Sequence, residues 1–320
     1  MQVSNIMFNT NYQNKPVLNR NNNVKQSKNR TSIGIFPNYY CPNISFGRSI
    51  IDDADFQYDY YKAANNLIEN KLDKLELTKD LSSEEQDDFK NNLFATDKLT
   101  LVPFIMDTKP SILLTGEFPY FQNSDKYDFV PRILNSKTKK SIVTTPNIFI
   151  LNKELTKKTI DENKEIYTKR MNLDDNSSVD TIYKKLVGEN SPLKEQYGFD
   201  DIIGITLGFS PINSVLFQLE DSIPDKISSR RNPINHAQQL DEVFNSETSP
   251  YNNFSDEFKE KVQESIDFIK NRSFRKEDFT PIGYSYIQLA PDEEFSNKLI
   301  KDAKINLDKV NNIINKKEDE

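Results

Sequence analysis

The stretch from Tyr197 to Glu220 constrains this chain more than any other. It is the most apolar part of a polar protein, and it holds Gly198, Gly204 and Gly208 out of only eight glycines. Asp200 and Asp201 suit the first turn of a helix, where carboxylates meet the positive end of the dipole. Ile202, Ile203, Ile205 and Leu207 follow and leave that helix apolar on nearly every side, which implies burial. Gly204 and Gly208 lie four apart, share a helix face and admit the close approach of a neighbouring backbone. Gly208 also suits the left-handed position that ends a helix. Ser210 then reads as an N-cap and Pro211 as the first residue of a second helix. Ile212, Val215, Leu216 and Leu219 recur at helical spacing. The spacing predicts a buried helical hairpin over about 199–221.

Helix, glycine turn and helix is also the outline of a DNA-binding motif. The charges exclude it. No Lys or Arg occurs from Phe199 to Asp225, while Asp200, Asp201, Glu220, Asp221 and Asp225 are acidic. A recognition element needs cations to neutralise phosphates. Nucleic acid is therefore not expected on the body.

Net charge is −7, unevenly divided. Before Asp52 there is no Asp or Glu, only Lys15, Arg20, Lys25, Lys28, Arg30 and Arg48 as charged side chains. The pattern predicts a basic, Asn-rich, disordered leader over 1–48 and one acidic globular body over 49–320, with a point of sub-division near 172–190. The leader carries Phe36, Tyr39, Tyr40 and Phe46 as adhesive points. It reads as a tail, a targeting or non-classical export signal, or an arm making weak polyanion contact. A cytoplasmic protein is expected, with no apolar run long enough to span a bilayer. Abundant Asn, Lys and Ile with no Trp suggest an AT-rich genome.

One cysteine, Cys41, rules out an internal disulfide framework. With His236 as the only histidine, a zinc site lacks ligands. Two acidic runs, 53–59 and 174–178, imitate calcium loops but lack glycine and the bidentate acid where such loops require them. No phosphate loop, dinucleotide fingerprint or kinase signature is present. No metal or cofactor is expected.

Along the chain, Asp52 to about Thr78 and Ser82 or Ser83 to about Phe94 read as helices, the second opened by a Ser82-x-x-Glu85 capping box. Four short apolar runs, Leu99–Val102, Ser111–Leu114, Ser141–Thr144 and Ile148–Leu151, read as strands punctuated by Pro103, Pro110, Pro119, Pro131 and Pro146. Helices follow over 152–171, 177–187 and 255–272. A strand is expected over 279–289, and a last helix opens at Pro291 with Phe295, Leu299, Ala303, Leu307, Val310 and Ile314 on one stripe.

The candidate site residues are few. Glu117 sits in an aromatic loop where a carboxyl could act as a general acid. Arg230 and Arg231 stand out on an acidic body as a candidate anion contact. His236 has no nucleophile elbow to serve. The fold class expected is α+β, mainly helical, with a small mixed or antiparallel sheet packed with several helices. The function expected is that of a non-catalytic interaction protein with another protein as partner. The alternative is a hydrolase- or transferase-type enzyme using carboxylate, Tyr or Lys chemistry in a cleft between sheet and hairpin. Glu117, Asp200, Asp201, Tyr197 and Asn213 would then converge.

Overall fold

The computed structural model describes residues 54–70, 76–78, 81–95, 98–115, 123–137, 142–224, 233–271, 290 and 292–315. In chain order these form α1 (Ala54–Asn70), α2 (Ser83–Ala95), α3 (Lys98–Ile105), β1 (Ser111–Thr115), β2 (Tyr127–Lys137), β3 (Ile142–Asn152) and α4 (Lys153–Glu162). Then come α5 (Lys164–Arg170), α6 (Val179–Val187), α7 (Asp200–Thr206), α8 (Pro211–Glu220), α9 (Pro233–Phe244), α10 (Asp256–Asn271) and α11 (Glu293–Asn315). The chain is mainly helical α+β, with one three-stranded antiparallel sheet in the order β1-β3-β2. The leader and the expected strand over 279–289 lie outside the described residues.

The sheet is a middle layer. Phe149 and Leu151 of β3 join Val130 in a cluster with α4–α10, whereas Ile148 and Ile150 join Ile112, Leu114 and Tyr127 in a second cluster with α1–α3 and Val310 of α11. Because successive strand residues point to opposite faces, β3 must be apolar at every position from 148 to 151. This is why it reads as a continuous run.

Three sequence expectations are corrected here. Leu99–Val102 is not a strand; it lies within α3, and Leu101, Val102 and Phe104 are buried. A short apolar run fits a buried helix as well as a strand. Pro103 sits inside that helix, and its carbonyl accepts from Thr108 N (2.8 Å) and Lys109 N (3.0 Å), which closes the turn. Second, Pro146 does not divide β3; residues 142–144 and 148–151 belong to one strand. Third, β2 runs straight through Pro131.

The edge geometry explains both strand prolines. Phe129 donates its N–H to Asn123 Oδ1 (2.9 Å), and the Asn135 carbonyl accepts from Gln196 Nε2 (2.7 Å). Odd residues of β2 therefore turn their backbone groups away from β3. Pro131 holds one such position, where no ladder bond is lost. Ile133 holds another and pairs with Pro146, so Pro146 faces the β1 side, beyond the last β1 partner, Asn147.

The expected helix over 152–171 is two helices broken at Asn163, whose N–H bonds Thr159 O and Ile160 O and ends α4. The capping box is present: Ser82 N donates to Glu85 Oε2 (2.8 Å).

The hairpin forms as expected. Gly208 has φ +78°, and a Cβ there would lie 2.9 Å from Pro110 Cδ. Ser210 caps α8 through Asn213 N, with Pro211 first in the helix. At Gly204 the close neighbour is a side chain and not a backbone: a Cβ would lie 2.5 Å from Ser214 Oγ of α8.

The two helical layers meet at the turn after α3. Asn306 Nδ2 of α11 donates to Thr108 Oγ1 (2.8 Å), and Lys309 Nζ donates to Met106 O (3.0 Å). From the other layer, Thr156 Oγ1 donates to Pro110 O (3.1 Å), and Ser111 Oγ donates to Thr206 O (2.6 Å).

Candidate functional site

The hairpin's first turn carries a buried polar cluster. Asp201 is fully buried, and its Oδ2 accepts from Arg170 Nε (2.6 Å) and Tyr251 Oη (2.7 Å). Arg170 Nη2 also donates to the Gly198 carbonyl. The guanidinium lies 5.4 Å from the Phe199 ring centroid and 5.5 Å from that of Tyr251, within cation–π range. Burial pulls the Arg170 guanidinium down, but the Asp201 charge and its hydrogen bond outweigh it, so the group ends above its ordinary value. Burial first, then the Asp201 charge, pushes the Tyr251 phenol well above its ordinary value. A carboxylate with two charge-assisted or phenolic donors is stable inside a protein only because those donors are fixed.

Arg170 of this knot lines an open groove of about 890 Å3, and Asp201 and Tyr251 are buried. One wall is the end of α5 and the loop after it, Lys169 to Asn176; the other is the turn holding Ser249, Pro250 and Asn253. Both walls are braced from behind. Leu173 N donates to Thr168 O (2.8 Å), and Asn172 takes φ +54°, which ends α5 in the left-handed region. On the far wall, Asn252 Nδ2 donates to Ser246 O and Glu247 O (both 3.0 Å), and Lys259 Nζ donates to Asn252 O (2.7 Å). Ser255 Oγ donates to Glu165 Oε2 (2.9 Å), which ties the two walls together. Lys169 pairs with Asp175 at 2.7 Å.

The residues singled out in the sequence are dispersed among different partners. Asp201 is buried and reaches the groove only through its bond to Arg170, which lines it. Asp200 lies beside it, with its N–H on Gln218 Oε1 (2.7 Å). Asn213 is buried and clasps the backbone of Ala290, donating to its carbonyl and accepting its N–H, each at 3.0 Å. Ser210 Oγ donates to Asp292 Oδ2 (2.7 Å), and Asp292 Oδ1 caps α11 through Phe295 N (2.9 Å). Ser210 and Asn213 thus fasten the hairpin to the segment leading into α11. Tyr197 is 56% exposed and accepts from Gln196 Nε2 (2.8 Å) at the outer edge of β2. His236 is buried, with Nε2 2.7 Å from Glu220 Oε1, so it bridges α8 and α9 inside the core. Glu117, Arg230 and Arg231 lie outside the described residues.

Sequence reasoning missed Arg170, Tyr251 and the groove. Arg170 looks like one more surface cation at the end of a polar helix. The loop at 174–178 did attract notice, as a failed calcium site. Its true signal is Asn172 two residues past a helix end, a position that favours Asn in the left-handed conformation.

Among the described residues no group of three or more His, Cys, Asp or Glu is placed to hold a metal ion, and no helix is long and apolar enough to cross a membrane. The chain matches no protein-family model, no curated protein and no solved structure.

Proposed function

We propose that this chain is a non-catalytic interaction protein and that its partner protein docks on the groove between the 171–176 loop and the 249–253 turn. The groove itself carries the reading. Its walls are pinned by hydrogen bonds on their far sides, so its shape is preorganised, which lowers the entropy lost on binding. Its floor is an arginine held between a carboxylate and two rings. The buried polar groups elsewhere support the same reading, because Asn213 and Ser210 are engaged in fastening the framework.

The test is site-specific cross-linking in the source cell. A photo-activatable residue is placed at Asn253, on the groove, or at Asn91, exposed on α2 in the opposite layer. One protein, identified by mass spectrometry, is expected to cross-link from position 253 and not from position 91. Equal yield from both positions, or none from 253, contradicts the reading.

A further inference from the structure

The groove's polar groups fall into two sets, and the difference between them indicates what it takes. The charged set is nearly balanced within the protein: Lys169 is neutralised by Asp175 (2.7 Å) and Arg170 by Asp201 (2.6 Å). Asp174 is the exception. It is exposed, its Oδ1 accepts only the N–H of Asn176 (2.8 Å), and no cation pairs with it among the described residues. The groove therefore carries one unbalanced negative charge on its rim.

The neutral set is uncommitted. The carboxamides of Asn172, Asn176 and Asn253 make no hydrogen bond among the described residues. Arg170, by contrast, is only 10% exposed and is engaged by Asp201, the Gly198 carbonyl and Tyr251. A carboxamide presents a donor and an acceptor side by side, as the N–H and C=O of one residue do on the edge of an extended strand. Three of them stand on the two walls of the groove.

The openness of the groove selects between ligand sizes. Small-molecule sites are concave and cover most of the ligand surface. Here Asn172, Asp174, Asp175, Asn176, Pro250 and Asn253 are all exposed, so a small ligand would keep much of its surface in water. An extended chain loses nothing by that, since its outward side chains remain solvated.

Building on the interaction reading above, we propose that the groove binds an extended polypeptide segment of the partner that carries lysine or arginine. Its backbone amides and carbonyls pair with Asn172, Asn176 and Asn253. A cationic side chain sits against Asp174. An acidic segment is rejected by that same carboxylate and by the acidic body.

The test uses the full chain and three probes: the blocked peptide acetyl-(Gly-Lys-Ser)3-amide, its Gly-Glu-Ser counterpart, and N-acetyl-lysine methylamide. Side-chain amide resonances of Asn172, Asn176 and Asn253 are followed by NMR during titration. The lysine peptide is expected to shift all three, with at least tenfold higher affinity than either other probe. Asp174→Lys is expected to weaken the lysine peptide at least fivefold and to strengthen the glutamate peptide, a reversal that a loss of folding cannot produce. Equal binding of the two peptides overturns the charge assignment, and equal binding of the methylamide overturns the extended-chain assignment. If no probe shifts these resonances while the position-253 cross-link persists, the segment proposed is wrong and the interaction reading stands. If both fail, the interaction reading fails with it.

Discussion

The two faces of the sheet are covered in different ways. One face is covered by α4 to α10, which follow one another from Lys153 to Asn271. The other is covered by α1 to α3 together with α11, which arrives from the far end of the chain. The first layer is therefore built largely from contacts between near neighbours in sequence, and the second requires the chain to close on itself. Loop closure costs entropy before long-range contacts reward it. The first layer also holds the Arg170–Asp201–Tyr251 knot and the groove. The layer that forms more locally is the one that carries the candidate site.

Two adjacent residues of β3 separate the layers most sharply. Phe149 packs into the first cluster and Ile150 into the second, both fully buried. Phe149→Ala is expected to cost about 3–5 kcal/mol and Ile150→Ala about 2–5 kcal/mol in urea unfolding. Hydrogen exchange should separate them further. The first variant should lose protection mainly in α7 to α10, and the second mainly in α1, α3 and α11. If both variants loosen the same helices, the two layers are not distinct units.

A smaller effect is expected inside the hairpin. Gly204→Ala places a Cβ 2.5 Å from Ser214 Oγ, so it should destabilise by about 1–3 kcal/mol. Gly204→Ala combined with Ser214→Ala should recover part of that loss in the same unfolding curves, because Ser214 Cβ still lies 3.0 Å from the new methyl. No recovery would mean that backbone strain, and not the side-chain clash, sets the cost.

The smallest effect is visible only in alkali. Tyr167 and Tyr251 lie in the first layer, and burial raises both phenols. A phenol whose folded pKa is raised contributes stability that is present below its unfolded value, about 10. That contribution is lost as pH rises from there toward the folded value. Stability should thus be flat with respect to these groups through neutral pH and fall above about pH 10. Tyr251→Phe should show a shallower alkaline fall, followed by phenolate absorbance and unfolding together. An unchanged slope would remove Tyr251 from the account.

Much of the fold was legible in the sequence because its signals were local. The hairpin from Asp200 to Glu220 announces itself through a cap, a proline and a glycine, each with a fixed backbone meaning. The helix at 256–271 shows its buried face through Phe258, Val262, Ile266 and Ile269. The strands were harder because their logic is tertiary. Whether Pro131 breaks a strand depends on which way its missing N–H would have pointed, and that depends on β3. Leu99–Val102 looks like a strand until the surrounding layer makes it a helix. The candidate site was least legible. Asp201 stood out, but Arg170 and Tyr251 lie 31 and 50 residues from it in sequence, and nothing local links them.

The most direct test of this account is a double-mutant cycle on Arg170 and Asp201, using Arg170→Met, Asp201→Leu and the pair together. Each single change leaves one charge buried without its partner, so each should cost about 3–5 kcal/mol. The double change replaces the pair with apolar groups and should recover most of that loss, leaving a large coupling energy. Single losses below about 1 kcal/mol, the range typical of a solvent-exposed pair, with no coupling between them, would contradict a buried knot holding Arg170 at the groove.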